Sequence, residues 1–219
     1  MGVPVLCLGA SGSGKSASMR NLKYDDVGVF NVAGKPLPFK GNLRTVKRPS
    51  YSTIMGALKK NTCKTYVIDD SQYLMAFEMF DKAKVKGYDK FTEIAVNFEG
   101  LIRFVTDQTT DDTIVYFLHH TEETDTGRVK AKTVGKMLDN QITLEGLFSI
   151  VLIADRVDGE YVFRTTNNGD SPAKSPMGMF EPTIPNDLQI VTDTIREYYG
   201  LEETVYPSVY ELEENGELK

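Results

Sequence analysis

The sequence predicts an α/β fold: a mostly parallel sheet with helices on both faces, finished by a C-terminal β-hairpin. Apolar runs of strand length alternate along the chain with segments of helical periodicity, which is the pattern of a covered parallel sheet. Thr113 to Leu118 and Phe148 to Ala154 are almost continuously apolar, as strands buried on both faces must be. Asp158-Gly159 then supplies a tight turn into Tyr161-Val162-Phe163-Arg164-Thr165.

The elements follow in order. Val3 to Leu8 reads as the first strand, and Lys15 to Leu22 as a helix after a glycine-rich loop. Val27 to Val32 is a second strand, broken by Gly34-Lys35-Pro36-Leu37-Pro38. Thr65 to Asp70 is a third. Phe91, Ile94, Ala95, Phe98, Leu101, Ile102 and Val105 recur at spacings of three and four, so one face of a long helix is buried. After the fourth and fifth strands and the hairpin, Leu188, Val191, Ile195 and Tyr198 mark a last helix. At 219 residues the chain divides into one domain over 1–200 and a Glu-rich tail over 201–219.

The loop carries the chemistry. Gly9-Ala10-Ser11-Gly12-Ser13-Gly14-Lys15-Ser16 fits G-x-x-x-x-G-K-[ST] between a strand and a helix, the phosphate-binding P-loop. Small residues let successive N–H groups converge on a β-phosphate, and Lys15 reaches the β- and γ-oxygens. Gly9, Ser11, Gly12, Ser13, Gly14, Lys15, Ser16 and Ser18 are therefore the expected contacts to ATP. The Ser16 hydroxyl and Asp69, at the end of an apolar strand, are the expected Mg²⁺ ligands, and Asp70 is placed to orient an attacking water. The bland alternative for Asp69-Asp70 is a pair of solvated acids.

Ligands of such sheets bind at the carboxyl ends of strands, which draws in His119 and His120 as sensors of the γ-phosphate, His120 ahead of the two. No Cys-His spacing suits zinc. The net charge is −6, so nucleic acid is not expected to coat the whole surface. No Asp or Glu occurs between Val27 and Ile68, however, while Lys35, Lys40, Arg44, Lys47, Arg48, Lys59, Lys60 and Lys64 do. Lys82, Lys84, Lys86 and Lys90 form a second basic group. Arg128, Lys130, Lys132 and Lys136 form a third, in the polar stretch 121–136 directly after the histidines. A mobile basic loop there is the expected contact to single-stranded DNA, diluted by Glu122, Glu123 and Asp125. Cys7 and Cys63 lack a C-x-x-C spacing, and no apolar run approaches a membrane span, so a reduced, cytoplasmic setting without membrane contact is expected.

With these residues in place, the chain resembles the phage-encoded ATP-binding proteins with a RecA-like P-loop NTPase core that act in single-strand annealing and recombination. The resemblance rests on GASGSGKS, Asp69-Asp70, the strand ending in His119-His120, and Asn167 to Lys174 after the hairpin. It implies a Mg²⁺-dependent ATPase in the host cytoplasm that binds single-stranded DNA, self-associates, and works alongside a single-strand DNA-binding protein. It further implies that Lys174 enters a neighbouring subunit's ATP site. The chain departs from RecA in lacking a carboxylate after the second strand and in carrying histidine where RecA has a sensor amide. A P-loop kinase or metabolic NTPase with a small-molecule acceptor is the alternative, with the 121–136 segment as its lid.

Overall fold

A computed structural model gives the architecture and describes residues 1–135, 138 and 142–201. The described strands are β1 (Val3–Gly9), β2 (Val27–Asn31), β3 (Arg44–Lys47), β4 (Thr65–Asp69), β5 (Ile114–Glu123), β6 (Val129–Ala131), β7 (Ile150–Val157), β8 (Glu160–Arg164) and β9 (Thr183–Pro185). Four α-helices accompany them among the described residues: α1 (Tyr51–Lys60), α2 (Gln72–Asp81), α3 (Asp89–Gln108) and α4 (Leu188–Tyr199).

The sheet runs β3-β2-β4-β5-β1-β7-β8-β9, with β6 added to the end of β5. From β3 to β7 every neighbouring pair is parallel, whereas β8 and β9 join antiparallel at one edge. Alternation along the strands splits the core into two layers. On β1, Leu6 and Leu8 face a cluster with Ile54 and Leu58 of α1, Leu74 and Met75 of α2, and Phe98 and Leu101 of α3. Val5 and Cys7 face the other way, onto Met19 and onto Leu188, Val191 and Ile195 of α4. β1 is the switch point of the sheet: the chain moves from β1 to β2 on one side and returns to β7 on the other.

Local chemistry explains the ends of several elements. Ser50 caps α1 by accepting from the Thr53 N–H at 3.2 Å, and Asn61 closes it in the left-handed region at φ 49°. Asp187 caps α4 by accepting from the Gln189 N–H at 2.9 Å, and Gly200 ends it at φ 61°.

Three expectations need correction. The segment after the glycine-rich loop is a six-residue 3-10 helix, Ser16–Asn21, and not an α-helix. Ser16, Ser18 and Asn21 are weak helix formers, and Arg20 donates to the Asn186 carbonyl at 2.7 Å, which ties the segment to the start of α4. The segment 121–135 is not a mobile loop. β5 runs on to Glu123 and pairs with β6 in the register Thr121↔Ala131 and Glu122↔Lys130. β6 is anchored at both ends: near the turn the Val129 N–H donates to the Asp170 carbonyl at 2.9 Å, and at the root the Ala131 N–H donates to Glu145 at 2.5 Å. Finally, the sheet does not stop at the β7–β8 hairpin, because β9 adds a further edge. Lys136 and the tail beyond Leu201 lie outside the described residues.

Cys7 and Cys63 are free and buried on opposite layers. Among the described residues no helix is long and apolar enough to cross a membrane.

Candidate functional site

The glycine-rich loop leaves β1 at the carboxyl end of the sheet. Gly12 at φ 79° and Gly14 at φ 95° hold the backbone in conformations that L side chains rarely adopt, the kind of backbone an N–H nest for an anion needs. The floor admits no larger residue. A Cβ on Gly9 would strike Ser13 Oγ and the Ala154 carbonyl, and one on Gly14 would lie 2.9 Å from the Tyr161 ring. With only six residues of 3-10 helix behind the loop, little macrodipole is available, so any anion there would depend on the loop N–H groups and Lys15.

Lys15 is 6% exposed, and its ammonium donates to the carbonyls of Gly9 and Ala10, both at 2.7 Å. Burial pushes its pKa down to about 8, against the attraction of Asp70 and Asp69. Ser16 Oγ donates to Asp69 Oδ1 at 2.7 Å, joining the loop to the end of β4. Burial pushes the Asp69 carboxyl up to about 6, with the Ser16 hydrogen bond opposing. A buried carboxyl of this kind favours a cation beside it. A hydroxyl plus a carboxylate suits Mg²⁺, which takes few protein ligands and completes its shell with water and phosphate oxygens. No cluster of three or more His, Cys, Asp or Glu suited to a metal occurs among the described residues.

Asp70 follows β4 in the left-handed region at φ 59°, which turns its side chain into the same cleft. Its Oδ1 accepts from His120 Nε2 at 3.2 Å, and its Oδ2 pairs with Lys35 Nζ at 2.7 Å. Burial alone would raise this carboxyl, but the His120 hydrogen bond and the Lys35 pair outweigh it and hold it at about 2. The cleft encloses about 480 Å³, and Ser11, Gly12, Gly14, Lys15, Ser16, Lys35, Asp69, Asp70, His120 and Tyr161 are among its lining residues. A second cleft of about 450 Å³ lies at the opposite end of β2 and β4 and contains none of the predicted site residues.

The two histidines part company because neighbours on a strand face opposite ways. His119 is fully buried beside Phe98, with Ser71 Oγ 2.9 Å from Nδ1 and the Lys132 carbonyl 2.8 Å from Nε2. Burial pushes its pKa down to about 4. It is a structural residue, and His120 alone reaches the cleft.

Other expected contacts are not brought there. The Ser18 hydroxyl is buried and donates to the Lys15 carbonyl at 2.5 Å, so it serves its own backbone. Gly9 and Ser13 shape the loop from beneath. Lys174 bridges to Val151 near the start of β7, at the far end of that strand from its own loop. Of the basic group, Arg128 stands exposed at the hairpin tip and Lys132 is exposed at its root, while Lys130 pairs with Glu122 at 2.9 Å.

Sequence reasoning noticed Lys35 only as one of many lysines and did not consider Tyr161. The signal for Lys35 is its place directly after β2 at the carboxyl end of the sheet, where Asn31 fixes the turn. The Asn31 side chain donates to the Lys35 carbonyl at 2.6 Å and accepts from the Gly34 N–H at 2.7 Å. Compared with known proteins, the chain matches no family model and no curated sequence.

Proposed function

We propose that the chain is a Mg²⁺-dependent P-loop ATPase of RecA-like fold that binds single-stranded DNA and acts in annealing or recombination. The observation that carries the ATPase reading is the Ser16–Asp69 hydrogen bond at 2.7 Å, with Lys15, Asp70 and His120 in the same cleft. The loop N–H groups and Lys15 bind the β- and γ-phosphates. Ser16 and Asp69 hold Mg²⁺, which when bound neutralises charge on the phosphate oxygens. Asp70, steadied by His120, accepts a hydrogen bond from water and aims its oxygen at the terminal phosphorus. As that oxygen bonds to phosphorus, the bond to the bridging oxygen breaks, ADP and inorganic phosphate leave, and the water's proton goes to solvent.

The DNA reading is supported by the attachment of the β5–β6 hairpin. The Lys132 N–H donates to the His120 carbonyl at 2.9 Å, and the Lys132 carbonyl accepts from His119. A displacement of His120 at the phosphate is thereby passed to the base of the element that carries Arg128 and Lys132. Recombination, self-association with Lys174 reaching a neighbour's cleft, and a single-strand DNA-binding partner rest on the resemblance. The kinase alternative loses support because its lid would be this hairpin, in which Arg128 is the single arginine between residues 121 and 135.

ATP turnover measured with and without single-stranded DNA, alongside Lys15→Ala, tests the reading. Mg²⁺-dependent hydrolysis that rises with DNA and vanishes in the folded variant is expected. A folded wild type that binds no nucleotide, or turnover indifferent to both DNA and Lys15, refutes it.

A further inference from the structure

Both oxygens of the Asp70 carboxylate are engaged, and the two partners differ in kind. His120 is a side chain of the sheet, 22% exposed, whereas Lys35 is 62% exposed over a carboxylate that is itself 7% exposed. The backbone beneath Lys35 is fixed by buried Asn31 and by Gly34 at φ 70°, so the flexible part is the lysine stem alone. Lys35 lines the same cleft as Gly12, Gly14 and Lys15 of the glycine-rich loop, and its ammonium sits 5.8 Å from the centre of the Tyr73 ring. Lys15, the other lysine lining the cleft, is buried and spends two of its protons on loop carbonyls.

We propose that Lys35 senses the terminal phosphate: it holds Asp70 while the cleft lacks a γ-phosphate and transfers its ammonium to that phosphate when a nucleoside triphosphate binds. The proposal rests on the ATPase reading and deepens it. A terminal phosphate carries more negative charge than a carboxylate and presents more acceptor oxygens, so it competes for a mobile ammonium. A diphosphate offers no such group at that place, and Lys35 stays on Asp70. The exchange frees Asp70 Oδ2 for the attacking water, so the site is armed by its own substrate and shuts again when phosphate leaves. It also gives the acid-free tract a local reason: an Asp or Glu near Lys35 would hold the ammonium away from both partners.

Titration of ATP and of ADP, each with Mg²⁺, into the wild type, Lys35→Gln and Lys35→Arg tests this. Lys35→Gln should weaken ATP binding about tenfold, the scale of one charge-assisted hydrogen bond. ADP affinity should stay within about twofold, since the lost cation never touched a diphosphate. Lys35→Arg should restore most of the preference for ATP. Equal weakening for both nucleotides, or no change for either, overturns the sensor role while leaving the ATPase reading intact. A wild type that binds neither nucleotide overturns both. Because Lys35 is exposed and its turn is held by Asn31, both variants should keep the wild-type far-UV dichroism, and Lys35→Gln should lower the melting temperature only modestly, since His120 still pairs with Asp70.

Discussion

Burial of His119 makes the fold acid-sensitive from about pH 6.5 downward, where most side chains of its kind simply take up a proton. The imidazole has an ordinary pKa of 6.5 and is pushed down to about 4 by burial, with Lys15 and His120 adding repulsion. The folded protein therefore resists a proton that the unfolded chain accepts. Stability from this group is complete above pH 6.5, declines as pH falls, and levels off below about 4. At about 1.4 kcal/mol per pH unit the full penalty is ~3 kcal/mol, of which ~1.4 kcal/mol has accrued by pH 5.5. The cost is one of desolvation rather than of lost partners. Ser71 Oγ also lies 3.2 Å from the Leu118 carbonyl, so its hydroxyl can turn there and accept from a protonated Nδ1. His119→Gln keeps a donor for the Lys132 carbonyl but cannot titrate. Urea unfolding of both proteins at pH 7.5 and 5.5 isolates the effect, because the other titrating groups are common to both. The wild type should lose ~1.4 kcal/mol more than the variant over that interval. Parallel losses would show that His119 is hydrated or protonated in the folded state, and the argument would fail.

What the sequence conveyed and what it concealed divide along the range of the interactions. The glycine-rich loop, the central strands and the long α3 are local patterns, and Ile94, Ala95, Phe98, Leu101, Ile102 and Val105 are all buried as their spacing requires. The His pair was legible as a site but not as two roles. Strand alternation supplies the missing step, since Phe117 packs under α3 and His119 must share its face. The pairing of Lys35 with Asp70 was hidden because it depends on β2 lying beside β4 in the register Asn31↔Asp69, which no local pattern encodes. β3 was missed for a different reason. It is a four-residue edge strand, Arg-Thr-Val-Lys, with two charged side chains and little apolar signal. The β5–β6 hairpin was hidden by its own polarity: Glu122 and Lys130 face each other across the strands as an ion pair and read in sequence as loop residues.

Further outcomes are expected at the cleft and the hairpin. Asp69→Ala should abolish Mg²⁺-dependent nucleotide binding, whereas Asp70→Asn should bind nucleotide and lose turnover; wild-type hydrolysis by Asp70→Asn would place the water-orienting group elsewhere. Gly14→Ala, at φ 95° and with its Cβ 2.9 Å from the Tyr161 ring, should strain the loop by about 1–2 kcal/mol and weaken nucleotide binding while the domain stays folded, checked by titration and dichroism. The three basic residues of the hairpin should not be equivalent in DNA binding. Arg128 and Lys132 are exposed, so each phosphate they neutralise releases a counterion, and removing either should reduce the slope of log affinity against log salt by about 0.7. Lys130 is already neutralised by Glu122, so DNA must break that pair to gain the contact, and Lys130→Ala should change the slope much less. Glu122→Gln should then steepen the salt dependence, because it releases Lys130 to the phosphates. Salt titrations of single-stranded DNA binding across these four variants decide the matter, and a uniform slope in all of them would remove the hairpin from the DNA interface.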